Sequence, residues 1–149
     1  MKRLFFAVAA SVALAGSAYA EGDLSRANVQ RVVMELGSNA DGTMFLGPDN
    51  YEFETGQAYV WVLTNTDDLI HELAIGEMRE RIFTRKIEIA DADGNLVAEI
   101  KGDIAEVELG PNQTIEWYFV PVQTAEAIDI ACELPGHREA GMFGTVTLF

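Results

Sequence analysis

The stretch CELPGHREAGMFGTVTLF, residues 132–149, closes the chain. It opens on the only cysteine, Cys132, and sets His137 and Met142 behind it with four residues in each gap. Pro135-Gly136 supplies a tight turn before the histidine, and Gly141 lets the backbone bend before Met142. Thr145 to Phe149 then reads as a strand, rich in β-branched and aromatic residues. A thiol, an imidazole and a thioether are thus carried on one short strap that runs straight into a strand. The other histidine of the chain, His71, lies 61 residues before Cys132, on a separate apolar run, NTDDLIHELAIG.

Upstream of the strap the punctuation is that of a β protein. Expected strands are Val29 to Leu36, Tyr51 to Glu54, Gln57 to Asn65, Leu69 to Ile75, Lys86 to Ala90, Leu96 to Ile100, Ile104 to Leu109, Thr114 to Val120 and Ile128 to Ala131. In QAYVWVLTN the residues Tyr59, Trp61 and Leu63 share one face. DADGN, Thr55-Gly56 and Gly110-Pro111-Asn112 are turn signals between them. Short strands at this spacing point to a sandwich or barrel. One segment departs from the pattern: Glu77 to Arg85, EMRERIFTR, has good helix formers and reads as one or two helical turns.

The N-terminus carries a different message. A positive start (MKR), an apolar run too short to span a bilayer and the small-x-small triplet Ala18-Tyr19-Ala20 read as a signal peptide, residues 1–20. The remaining 129 residues, 21–149, suit a single domain with one core. No later segment approaches the ~20 apolar residues of a membrane span. The formal charge is −14, and loss of Lys2 and Arg3 with the leader takes it to −16. Such a surface argues against nucleic acid and anionic membranes and would attract a basic partner. A single cysteine in an exported chain makes no internal disulfide, so it is reactive, intermolecular or a metal ligand. A bound metal or deep burial would protect it from oxidation.

His71, Cys132, His137 and Met142 together form the donor set of a mononuclear type 1 copper site: two imidazoles, one thiolate and a weak axial thioether. The thiolate binds both copper oxidation states, the imidazoles suit both, and the long sulfur contact tunes the potential. A structural zinc site would need a fourth strong ligand, such as Glu133 in place of the thioether. A Cys/His hydrolase would need an open pair and an orienting group. A thiol oxidoreductase would need a second cysteine.

The segment CELPGHREAGMFGTVTLF resembles the ligand strap and last strand of the cupredoxins, the family of plastocyanin and azurin. The region of His71, following QAYVWVLTNT, is similar to the family's first-ligand region. Thr43 to Pro48, TMFLGP, looks like the usual entry to the preceding strand pair. The HE pair at His71-Glu72 and the PGH-x4-M strap are similar to cupredoxin-like proteins of bacterial copper tolerance; Glu72 stands where many cupredoxins have Asn or Ser. The resemblance implies an all-β Greek-key β-sandwich with a short helical insertion, holding one copper ion at one end through His71, Cys132, His137 and Met142. It implies that His137 lies near the surface among apolar side chains, for which Leu134, Pro135, Met142 and Phe143 are the candidates. Two roles follow as expectations. The first is a monomeric periplasmic electron carrier, without catalysis of its own, that serves a c-type cytochrome or a copper oxidase or reductase. The second is periplasmic copper binding for tolerance and homeostasis.

Overall fold

The computed structural model describes residues 28–149; the expected signal peptide lies outside them. Eleven strands form in chain order: β1 Gln30–Ser38, β2 Met44–Gly47, β3 Asn50–Phe53, β4 Tyr59–Asn65, β5 His71–Ala74, β6 Ile82–Ala90, β7 Leu96–Ile100, β8 Glu106–Leu109, β9 Thr114–Pro121, β10 Ala125–Ala131 and β11 Phe143–Leu148. They make two sheets. One runs β2-β1-β4-β9-β6-β7 and the other β3-β11-β10-β5-β8. The β1/β4 and β3/β11 pairs are parallel, and the other pairs are antiparallel. This is an all-β Greek-key sandwich of cupredoxin-like form.

Alternation builds the core. In β9 the inward set is Ile115, Trp117 and Phe119; in β11 it is Val146 and Leu148. Register brings Trp61 of β4 opposite Trp117 and Tyr59 opposite Phe119. Tyr59, Trp61 and Leu63 do share the inward face, but β4 also buries Val60 and Val62 on the other one. A central strand covered on both faces reads as a continuous apolar run, which is what YVWVL is. Phe53, from the opposite sheet, meets Tyr59, Trp61 and Phe119 edge to face, with ring centroids 4.8, 5.4 and 5.1 Å away.

Three expectations change. The helical insertion is a single 3₁₀ helix, Gly76–Arg81, and Ile82 to Arg85 belong to β6. Isolated helices of this length are marginal in water. Buried Met78 anchors the turn, while Ile82, Phe83 and Thr84 pair with Pro121, Val120 and Phe119 of β9. Met44–Gly47 is a strand in its own right, antiparallel to the end of β1. The strand around His71 begins at His71 itself, leaving Leu69 and Ile70 exposed in the loop before it.

The sandwich thereby gathers four termini at one end. These are the last residue of β4, the first of β5, the residue after β10 and the residue before β11. The loop 66–70 and the strap 132–142 both close this end.

Candidate metal centre

Asn65, the last residue of β4, is fully buried. Its amide nitrogen donates to the carbonyls of Leu69 at 2.7 Å and of Leu109 and Gly110 at 3.0 Å. Its side-chain oxygen accepts from the Asp67 N–H at 2.9 Å. One buried amide therefore folds the 66–70 loop back on itself and aligns His71 opposite Leu109 of β8. Asp67 continues the turn: its Oδ1 accepts from the Asp68 N–H at 2.7 Å. Its Oδ2 accepts from the Ser38 hydroxyl and lies 3.2 Å from His71 Nε2. These bonds, Ser38's foremost, pull the Asp67 carboxyl down to about 2. A carboxylate can only accept, so the proton of the neutral His71 ring sits on Nε2 and Nδ1 is left with a lone pair.

The strap is bonded into shape by its own backbone. Cys132 N–H donates to Met142 O at 3.0 Å, Met142 N–H to His137 O at 3.1 Å and His137 N–H to Leu134 O at 3.1 Å. Gly136 and Gly141 take φ of 86° and 110°, the left-handed region that favours glycine. A Cβ on Gly141 would also come within 3.0 Å of Met44 O, where the strap leans on β2. Outside, Arg138 grips both Asp129 oxygens of β10, at 2.7 and 2.8 Å, and Glu133 at 3.0 Å.

These two segments bring three donors together. His71 Nδ1 lies 3.3 Å from His137 Nδ1, and Cys132 Sγ lies 3.3 Å from the same nitrogen. All three donor atoms fall within 4.8 Å of one another, and no other such cluster of His, Cys or acidic groups occurs among the described residues. Metal–nitrogen bonds of ~2.0–2.1 Å put two ligand nitrogens roughly 3.3–3.6 Å apart. The spacing and chemistry of the set therefore fit one soft or borderline first-row metal ion. Met142 is buried and tied through its backbone to both Cys132 and His137, so the expectation that it lines the surface around His137 is corrected. It follows the Gly141 bend inward; exposed large apolar residues adjoin the donors in sequence as Phe143 after Met142 and as Leu69 and Ile70 before His71.

Glu72 follows the first histidine, and its backbone N–H donates to Cys132 Sγ at 3.3 Å. The tie between the two ligand-bearing segments is thus made by main chain and is indifferent to the Glu72 side chain. That carboxyl is buried with one oxygen lacking a partner, and burial, aided by Glu106, raises its pKa. Burial likewise pushes the Cys132 thiol up, against the lowering effect of the Glu72 and Leu134 N–H groups.

Burial, and secondarily His71, hold the His137 imidazole below its ordinary 6.5. With the folded value lower than the unfolded one, the contribution of His137 to stability is complete above about pH 6.5. It is lost as pH falls toward the lowered value. The metal-free protein is expected to lose stability relative to His137→Gln as pH drops from about 7 to about 5. Denaturant titrations across that range check this; a constant difference between the two proteins contradicts it.

Sequence reasoning singled out His71, Cys132, His137 and Met142 but passed over Asn65, Asp67 and Ser38. Asp67 had a weak local signal, an acid four residues before a histidine in a polar turn. Ser38 had none, because only the fold places the end of β1 beside that loop.

No protein-family model matches the chain. In sequence it is similar to the copper-resistant cuproprotein CopI of Vibrio cholerae, 30% identical over 95 residues, which cover 64% of this chain and 53% of that protein. It is also similar to the copper-resistant cuproprotein CopI of Pseudomonas aeruginosa, 25% identical over 133 residues, with 72% of each covered. The chain thus spans about half the length of the first and under three quarters of the second. In structure it is similar to the multicopper oxidase McoA of Aquifex aeolicus (TM-score 0.58, 14% identity), covering 81% of this chain and 29% of that one. It is also similar to the copper-containing nitrite reductase of Thermus scotoductus (TM-score 0.60, 12% identity), covering 80% of this chain and 31% of that one. At such identities the structural likeness is one of fold, so the chain stands as a cupredoxin-like sandwich similar in sequence to copper-resistant cuproproteins.

Proposed function

We propose that this chain binds one copper ion through His71 Nδ1, His137 Nδ1 and Cys132 Sγ, with the Met142 thioether as a weaker fourth ligand, and that it serves copper tolerance in the periplasm. The observation that carries the reading is the convergence of the two imidazole nitrogens and the thiol within 4.8 Å. The similarity to the two CopI cuproproteins supports tolerance ahead of electron carriage and reverses the order expected from the residues alone. When bound, copper would supply a Cu(I)/Cu(II) couple, and its charge would favour the thiolate over the thiol. The residues contribute a preset cage: Asp67 and Asn65 hold His71, the strap holds His137, and burial keeps His71 and Cys132 from water. With four protein donors no position is left for a substrate, so the chain is read as a binding protein and not an enzyme.

A second role, single-electron exchange, is favoured by one observation. His137 is the one donor residue of the three that reaches the surface, on a strap that ends beside exposed Phe143. A partner there would be a c-type cytochrome or a copper oxidase or reductase with a basic docking face, met by a monomer that carries a charge of −16 without its leader.

The test is a Cu(II) titration of residues 21–149 followed by visible absorption and EPR. One equivalent producing an intense thiolate-to-copper band is expected. No binding, or a nearly colourless complex, overturns the assignment. Stopped-flow mixing with a c-type cytochrome then separates the roles: fast, salt-sensitive electron exchange favours the carrier, and its absence favours tolerance.

A further inference from the structure

We propose that Asp67 is a positioning residue that biases the site toward the more highly charged state of its metal; this rests on the copper reading above. His71 is fully buried, and its two ring nitrogens face opposite neighbours. Nδ1 faces His137 Nδ1 at 3.3 Å, while Nε2 lies 3.2 Å from Asp67 Oδ2. The Asp67 side chain is itself only 14% exposed. It is held from three further directions, by the Ser38 hydroxyl and by the Asp68 and Leu69 N–H groups, the last two at 2.7 and 3.4 Å.

This arrangement does two things. It fixes the ring's rotation and tautomer, because a ring flip would turn a carbon toward the carboxylate and the N–H away from it. It also sets a full negative charge behind the imidazole, which makes Nδ1 a stronger donor. That charge is screened poorly by the surrounding burial, so it stabilises a divalent ion more than a monovalent one at the same point. Asp67 therefore favours Cu(II) over Cu(I). In a protein that binds copper for tolerance, this charge shifts the balance between the two oxidation states toward Cu(II).

Asp67→Asn keeps the size and removes the charge, and with its side-chain oxygen turned toward His71 and Ser38 it can still accept from the His71 Nε2–H and the Ser38 hydroxyl. Affinities of wild type and variant for Cu(II) and for Cu(I), each measured by competition with a chelator, separate charge from mere loosening. Cu(II) affinity is expected to fall about 10–100-fold, with a much smaller fall for Cu(I), so the reduction potential of the variant rises. An equal loss of both ions, or no loss of either, overturns the proposal. A second measurement uses the wild-type protein without metal. Long-range proton–nitrogen NMR is expected to show His71 as the Nε2–H tautomer, and an Nδ1–H tautomer overturns the proposal even if the variant fails to fold. If wild type binds no copper, the proposed function fails, whereas a wild type that binds copper beside an unaltered Asp67→Asn defeats only this inference.

Discussion

Cys132→Ser is expected to abolish the intense visible absorption of the copper-loaded protein while leaving the sandwich folded. The absorption comes from charge transfer between thiolate and copper, and no other sulfur of that kind exists in a chain with one cysteine. The variant also exchanges a soft anionic ligand for a neutral hydroxyl, so Cu(I) affinity should collapse by several orders of magnitude. The fold should survive for a local reason. Cys132 is fully buried, but the Glu72 N–H that points at its sulfur can donate to a serine oxygen instead. The buried hydroxyl then has a partner, and the stability cost stays at or below about 1–3 kcal/mol. Visible spectra, copper competition and a thermal melt of the metal-free variant decide the matter. Retained colour would remove Cys132 from the site; a metal-free variant that does not fold would make the cysteine a packing residue first.

Phe53→Ala is expected to do the reverse, costing about 3–5 kcal/mol of stability with little change in copper affinity of the folded protein. Phe53 is fully buried, and its ring meets Tyr59, Trp61 and Phe119 of the other sheet, beside a Tyr51–Trp61 contact from the same strand. Truncation leaves a cavity among rigid aromatic neighbours that cannot collapse into it. On a domain of this size the melting temperature should fall by roughly 10–20 °C. Phe53 pairs with Leu148 at the far end of β11 from Phe143, so the donors should keep their spacing. Denaturant unfolding of the metal-free protein isolates the effect, because bound copper would add its own stabilisation. A loss under 1 kcal/mol would show that the inter-sheet aromatic cluster is not central to the core.

Most of the strand pattern was legible in the residues because a strand's two-residue period and its turn residues are local properties. TIEWYFV and TVTLF announce themselves in this way. Of the 77–85 segment, residues 77–81 form helical turns as expected, whereas 82–85 are strand, because helix propensity is a weak preference and pairing of Ile82 to Thr84 with β9 outweighs it. The candidate donors stood out as a set because Cys132, His137 and Met142 sit on one short strap, and His71 was the only remaining histidine; the structure brings His71, Cys132 and His137 together.

What the amino-acid order determined by itself was the donor chemistry, the β class and the turns of the strap, each a matter of residue type and near neighbours. It could not determine the support around those donors. That the Asn65 amide folds the loop, that Ser38 reaches Asp67, that Asp67 reaches Nε2 of His71 and that Met142 turns inward all depend on pairings between residues remote in sequence. Hydrogen bonds and burial of that kind exist only once two sheets have packed, because packing alone sets which side chains meet at the end of the sandwich and which are shut off from water.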